Sequence, residues 1–350
     1  MQSLKPQPFQ ARQLLQATID ECPVASTWAP DGSCLAIGSA SGRIHLFDTR
    51  GDRCLLLYDW QAHTAPLQEL AWHPFEPLLS SSAQDGSIRH WLVGEDHQVT
   101  AMGSIEAATT WVERFQWRPD GRYLAVAAGK LVRIHDRTGK LVNEAGFDTT
   151  VAALAWHPRG TELAVGGHQY LTLLTGAAAT LRKQGLSTQG SLISCHWSPN
   201  GKILAAPCQD CSVHFWRINE VREASMSGYG SKPRALDWTA DSRFLVVGGN
   251  PSMTVWRFGR NSPEGTAPEH LNFHKQAVTA LAINRLTGQL AAGCRGSVVS
   301  LWHAVDAKTP YYHFAMEGPV ERLLWQTKGS ARRLAALDRS GHIGIWEIGS

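Results

Sequence analysis

Cys208 and Cys211, in APCQDCSVHFW, are the single C-x-x-C pair of the chain. Two thiolates at that spacing make half of a tetrahedral zinc site, and Cys195 and His196 of the same stretch could add sulfur and nitrogen. No second pair follows at the spacing a four-ligand site normally uses. His73 and His157 each sit in Trp-His-Pro, where an imidazole could serve as ligand or base. Gly228 to Lys232, GYGSK, has glycines and a lysine but lacks the adjacent Gly-Lys-Ser/Thr of a phosphate loop. The metalloprotease, nucleophile-elbow and dinucleotide patterns H-E-x-x-H, G-x-S-x-G and G-x-G-x-x-G do not occur.

What must position these residues decides how they are read. Trp28, Trp72, Trp117, Trp156, Trp197, Trp238 and Trp325 recur before a turn, as in STWAPDG, LAWHPFE and CHWSPNG, and Ile283 fills the seventh place. The successive spacings are 44, 45, 39, 41, 41, 45 and 42, an eightfold period of about 42 residues. Repeats of this length belong to propeller blades. Within each unit an apolar strand ends at the aromatic, and a Pro- or Gly-bearing turn follows. A second strand such as CLAIGS, ELAVGG or QLAAGC is small and β-branched, suited to burial on both faces. A third strand carries an aromatic near its end, as in GSIRHWL, CSVHFWR and HIGIWEI, and a variable segment between units supplies a fourth.

In this frame His73 and His157 share their place with Arg118, Ser198, Thr239 and Asn284. A position accepting that range is a turn position, not a catalytic one. Cys208 aligns with Ser39 and Cys294, and Cys211 with the turn residue Gly42, which favours buried or turn thiols over a metal site. His45 and His214 hold matching third-strand places, where an imidazole fills space between blades.

The eight units in phase resemble the WD-repeat β-propeller family over nearly the whole chain, with a degenerate signature dipeptide. Phe47-Asp48 and His135-Asp136 keep the Asp, while Trp216, Trp256, Trp302 and Trp346 are followed by Arg217, Arg257, His303 and Glu347. The resemblance implies an all-β, eight-bladed propeller of four-stranded antiparallel blades. One WD-repeat domain fills 1–350, with repeats near 20–60, 61–106, 107–147, 148–187, 188–228, 229–273, 274–316 and 317–350. The last unit stops after three strands, so Phe9 to Thr18, within 1–19, is expected to complete it and close the ring. Seven blades are the alternative, since Ile283 and the irregular fourth unit depart from the pattern. The longest connection, Phe258 to Ala277, is expected between the third and fourth strands of the sixth blade.

The family's structural hydrogen-bond network is best preserved in the second unit. There Ala62-His63 stands for the Gly-His pair, Asp85 sits in the tight turn, Ser81 or Ser82 supplies the hydroxyl, and Trp91 ends the third strand. These residue types also make a Ser-His-Asp triad. The resemblance implies that they stiffen the blade instead, with Trp91 covering the hydroxyl.

The family's usual contact surface is the face of the inter-blade loops and second-to-third-strand turns. Candidate partner-binding residues there are Trp60, Trp111, Tyr170, Tyr229, Lys232 and Arg295, because aromatic and arginine side chains dominate interface energetics.

Composition sets the outer bounds. Apolar residues make up 43% and charged residues 18%, enough for a folded core. The net charge of +3 comes without a basic run, so nothing in the linear order favours nucleic acid, although folding could gather a positive face. Seven scattered cysteines suit reduced thiols. No apolar run approaches the roughly 20 residues that cross a bilayer, and the first residues lack a signal-peptide core, so a soluble, cytoplasmic protein without membrane contact is expected. The leading reading is a non-catalytic scaffold, without a cofactor, that binds partner proteins through its loop faces. The alternatives are a metal-linked binding or transfer protein using Cys and His near blade five, and a propeller enzyme with its site at the channel mouth.

Overall fold

The computed structural model describes residues 11–19, 21–96, 98–107, 111–176, 180–186, 188–220, 222–259, 263–326, 328 and 332–349. Thirty-two strands, β1 to β32 in chain order, form eight four-stranded antiparallel sheets. Blades 1 to 7 each take four consecutive strands, spanning 23–61, 67–106, 112–146, 151–186, 196–226, 236–271 and 278–315. The eighth blade joins β30 (Val320–Trp325), β31 (Arg333–Asp338) and β32 (His342–Ile348) to β1 (Ala11–Thr18), in the order β1-β32-β31-β30. Ala11 pairs with Ile348 and Thr18 with His342, so the two ends of the chain share one sheet. This is the expected closure and gives eight blades rather than seven; Phe9 and Gln10 lie outside the described residues. The first strand of each blade faces the axis, and these strands neighbour one another around the ring.

The second strands explain why the blades can approach so closely. CLAIGS of blade 1 and RLAALD of blade 8 are buried at every residue. A Cβ added at Gly38 would lie 2.7 Å from Leu67, and one at Gly166 2.5 Å from Leu192. Gly293 meets Val320 in the same way. Leu67 and Val320 open the next blade's first strand, and Leu192 lies four residues before that of blade 5, so a glycine at each place admits the incoming side chain.

The repeating tryptophan supplies the polar half of each interface. Its indole N–H donates to the preceding blade, to the carbonyl of the residue just before that blade's own repeat aromatic or, in blade 7, before Ile283. Trp28 bonds Leu324 at 3.1 Å, Trp156 bonds Gln116 at 3.1 Å and Trp197 bonds Ala155 at 3.0 Å. Trp238 bonds His196 at 3.3 Å, Trp325 bonds Ala282 at 3.1 Å, and Trp72 reaches Thr27 at 3.4 Å. Trp117 instead donates to Ser80 Oγ at 3.1 Å. Only the junction of blades 6 and 7 lacks an indole, because Ile283 holds the place. There the Asp237 carboxylate accepts from the Ile283 amide at 2.8 Å, and Arg285 bonds both Asp237 and the Trp238 carbonyl. A different set of atoms therefore bridges the same seam.

Near the axis the first strands carry a register irregularity between their first and third residues in blades 1, 2, 3, 4, 7 and 8. Such bulges re-aim side chains at the rim of a sheet. The long connection of blade 6 runs from its third strand, ending at Arg257, to its fourth, beginning at Glu269. From it Glu264 clasps Arg217 of blade 5 with paired bonds of 3.0 and 3.1 Å.

Replacing Trp197 by Phe keeps the ring but removes the indole's hydrogen bond to the Ala155 carbonyl. A hydrogen bond of this kind contributes about 0.5–1.5 kcal/mol, so urea unfolding is expected to show that loss, while Trp111→Phe, at an exposed site, stays within about 0.5 kcal/mol of the parent.

Candidate functional site at the channel mouth

In blade 2, Trp91 Nε1–H donates to Ser81 Oγ at 2.9 Å, and Ser81 Oγ lies 2.8 Å from His63 Nε2. His63 Nδ1 stands 3.0 Å from Asp85, whose other oxygen accepts from the Ser87 amide and hydroxyl. An ionised carboxylate only accepts, so the proton sits on Nδ1 and Ser81 donates to Nε2. This is the donor order of a serine nucleophile triad. Ser81 and His63 are nevertheless wholly buried, and the would-be nucleophile already accepts the indole N–H. No substrate can meet it. Burial pushes His63 below its usual range against the pull of Asp85; burial pushes Asp85 up, but its bonds from Ser87 and His63 hold it below the carboxylate norm. Ser82 takes no part: its hydroxyl is buried without a partner among the described residues.

His63 stands nine residues before Trp72, and the same offset finds His274 before Ile283 and Tyr229 before Trp238. All three do the same work with different atoms. In blade 7 the hydroxyl moves to the third strand, where Ser300 Oγ accepts from Trp302 at 2.9 Å and meets His274 Nε2 at 2.9 Å. Gly296 replaces the turn aspartate, and His274 Nδ1 is left without a partner among the described residues. In blade 6 the Tyr229 hydroxyl alone receives the Trp256 indole at 2.9 Å and meets Thr254 at 3.1 Å. Tyr229 is therefore not the surface anchor expected of it. It is 7% exposed, because its ring fills the space an imidazole and a serine fill in blade 2.

The other expected contact residues separate. Trp60 lies half-buried on the outer strand of blade 1 and caps Trp91 edge-on, with centroids 5.5 Å apart. Tyr170 stacks on Phe147 at 5.2 Å. Trp111 stands out at 54% exposure before the first strand of blade 3. Lys232 and Arg295 come together although 63 residues separate them in sequence.

Those two line a cavity of about 360 Å³ with Arg234, Arg339, Thr279 and Glu321. Lys232 and Arg234 flank the start of blade 6, Thr279 and Glu321 lie near the starts of the first strands of blades 7 and 8, and Arg295 and Arg339 occupy equivalent turns of those two blades. Glu321 is engaged by Arg339 at 2.6 Å. Among the described residues no carboxylate pairs with Lys232, Arg234 or Arg295. Four cations thus face one already-paired carboxylate, a positive mouth that the net charge of +3 concealed. Within the channel wall Glu69 is pushed up by burial and drawn back by Arg114 and Arg322. Arg234 and Arg339 were missed from sequence, although Arg339 holds the turn position of Arg295 one unit on.

The C-x-x-C pair does not converge. Cys208 is buried in the core shared by blades 4 and 5, while Cys211, in a left-handed conformation at φ 63°, packs toward the core shared by blades 5 and 6. Cys208 instead lies near Asp210 and His214.

Residues 54–91 and 182–217 match the family described as WD domain, G-beta repeat. Each match takes the outer strand of one blade and the first three of the next, ending at Trp91 of blade 2 and at Arg217, just after Trp216, of blade 5. These two units match the WD repeat, and they sit in a fold of eight four-stranded propeller blades. Among its relatives, telomerase protein component 1 of Mus musculus is 24% identical over 331 residues, 92% of this chain and 12% of that protein. WD repeat-containing protein slp1 of Schizosaccharomyces pombe is 28% identical over 74% of this chain and 51% of its own length. Transcriptional corepressor LEUNIG_HOMOLOG of Arabidopsis thaliana is 25% identical over 78% of this chain and 29% of its own length. The chain therefore spans about half the length of slp1 and less than a third of the other two relatives.

Burial holds His90, His196 and His274 of this propeller near 4, below the ordinary 6.5. The unfolded chain binds these protons first, so their contribution is complete above pH 6.5 and is lost as pH falls toward 4. Unfolding at pH 5 is expected to take up roughly three protons, read from the pH dependence of the urea midpoint; His274→Gln lowers that uptake by about one.

Proposed function

We propose that the protein is a non-catalytic scaffold that binds an acidic segment of a partner protein at the channel mouth, across blades 6 to 8. The observation that carries this reading is the gathering of Lys232, Arg234, Arg295 and Arg339 around one cavity with Glu321 as the sole carboxylate among its lining residues. Like charges on a rigid rim repel one another, and an anionic ligand relieves that repulsion while gaining several charge-assisted hydrogen bonds. An extended acidic segment suits the mouth better than a compact anion, because the cations come from inter-blade loops and turns of three blades. Relatives named as a telomerase component and as a transcriptional corepressor agree with a role among other proteins. The seven free thiols support work in a reducing compartment such as the cytoplasm.

A fluorescent decaglutamate peptide serves as the probe. Titration of the full chain at low salt is expected to show saturable binding that weakens as salt screens the mouth. The double variant Lys232→Glu, Arg295→Glu, both at exposed positions, is expected to lose at least about tenfold in affinity with its unfolding midpoint unchanged. Equal binding by parent and variant would sink the reading.

A further inference from the structure

Blade 5 keeps the aspartate of the tight turn but not the imidazole that holds it in blade 2. Leu192 pairs with Cys208 as Leu67 pairs with Ala83, which sets Asp210 in the place of Asp85 and Ser212 in that of Ser87. The turn bonds are conserved: Asp210 Oδ1 accepts from the Ser212 amide at 3.2 Å and from its hydroxyl at 2.6 Å. The loop leading into this blade, residues 187–191, holds no histidine. Among the described residues no lysine or arginine forms an ion pair with Asp210.

Two other groups face that aspartate. One ligand atom from each of Cys208, Asp210 and His214 lies within 4.8 Å of the others. His214, on the third strand of the blade (Val213–Arg217), has Nδ1 held by Glu223 at 2.6 Å. An ionised glutamate only accepts, so the proton stays on Nδ1 and the lone pair is on Nε2. Gly190 adds an independent observation. A Cβ there would lie 2.8 Å from Cys208 Sγ and 3.4 Å from His214 Nε2, so this glycine leaves a notch beside both atoms.

We infer that Cys208, Asp210 and His214 form a binding site for a single divalent zinc-like ion, with Glu223 as the positioning carboxylate behind His214. Sulfur, nitrogen and oxygen donors together select a borderline-soft ion over magnesium or calcium. Zinc bonds of about 2.0–2.3 Å place tetrahedral ligand atoms on the order of 3.5 Å apart. The two outer ligands, exposed Asp210 and half-buried His214, can close that difference by side-chain rotation, and solvent reaches the ion from their side. Three protein ligands leave a fourth position for water or a partner's donor. A coordinating cysteine binds as the thiolate, so ion binding releases the Cys208 proton to solvent. The ion would fasten the second strand to the third at the same turn that His63 fastens in blade 2.

Full-length protein, stripped with chelator and reduced, is titrated with cobalt(II) and then with zinc. The expected result is one equivalent of cobalt, a near-ultraviolet thiolate-to-cobalt band, and displacement by zinc. Cys208→Ser abolishes the band, His214→Gln removes stoichiometric binding, and Glu223→Gln weakens zinc by about 10–100-fold. Cys211→Ser and Cys294→Ser leave both unchanged. Because Cys208 is buried, Gly190→Ala is a second test: it keeps all three ligands but puts a methyl against Cys208 Sγ and His214 Nε2, and is expected to weaken zinc while the metal-free unfolding midpoint stays within a few degrees. The inference is overturned by less than one equivalent bound, or by a band that survives Cys208→Ser or depends on Cys211. Decaglutamate binding at the channel mouth is independent of either result.

Discussion

Every blade of this ring has to bury two faces, and the seam between neighbours is where that requirement is met. A small residue on the second strand lets the next blade's leading side chain enter, and an indole N–H finds its acceptor by reaching back to a carbonyl of the preceding blade. Neither part works alone. Apolar contact without the hydrogen bond would bury a bare indole N–H, and the hydrogen bond without the glycine or alanine would find the blades too far apart. The seam of blades 6 and 7 shows that the constraint is the seam and not the tryptophan, because Asp237 and Arg285 rebuild it around Ile283.

The same logic governs the internal pins. Trp91, Trp302 and Trp256 each need an acceptor for a buried N–H, and each finds a hydroxyl from a different place: Ser81 on the second strand, Ser300 on the third, Tyr229 in the loop. What the fold conserves is a donor chain, while the residues that make it vary. A triad-like geometry in blade 2 follows from the needs of the indole. Function is left to atoms the seams do not use, which are the side chains of the inter-blade loops and turns. A rigid ring holds such side chains at fixed separations, so the cations of blades 6 to 8 cannot spread apart to relieve their repulsion.

The blade count and the closing strand were legible because an aromatic at a period of about 42 residues is a one-dimensional signal, and a missing fourth strand at one end demanded a strand at the other. The His63 chain was legible too, through the resemblance of Ala62-His63, Asp85 and Trp91 to the family's structural network; in the structure His63 also stands at a fixed offset from Trp72. Tyr229 was misread for want of that same offset: nine residues before Trp238, it stands where His63 stands. Spacing in sequence says nothing about which face of a blade a side chain takes, and the turn at Cys211 sends the two sulfurs of the C-x-x-C pair into different cores. The basic mouth was beyond a linear reading altogether. Its cations sit singly among neutral neighbours, more than a hundred residues apart from Lys232 to Arg339, and only the ring brings them together.

The central claim is that the ring is one cooperative body, with no free end because β1 is part of blade 8. Hydrogen exchange along the full chain measures this directly. An open stack of repeats frays from its ends, whereas a closed ring opens as a unit. The account predicts that the paired amides of Ala11–Thr18 exchange as slowly as those of His342–Ile348 and of the second strands in the middle of the chain. Amides of Ala11–Thr18 that exchange at the rate of an unstructured peptide, while the inner blades stay protected, would contradict it.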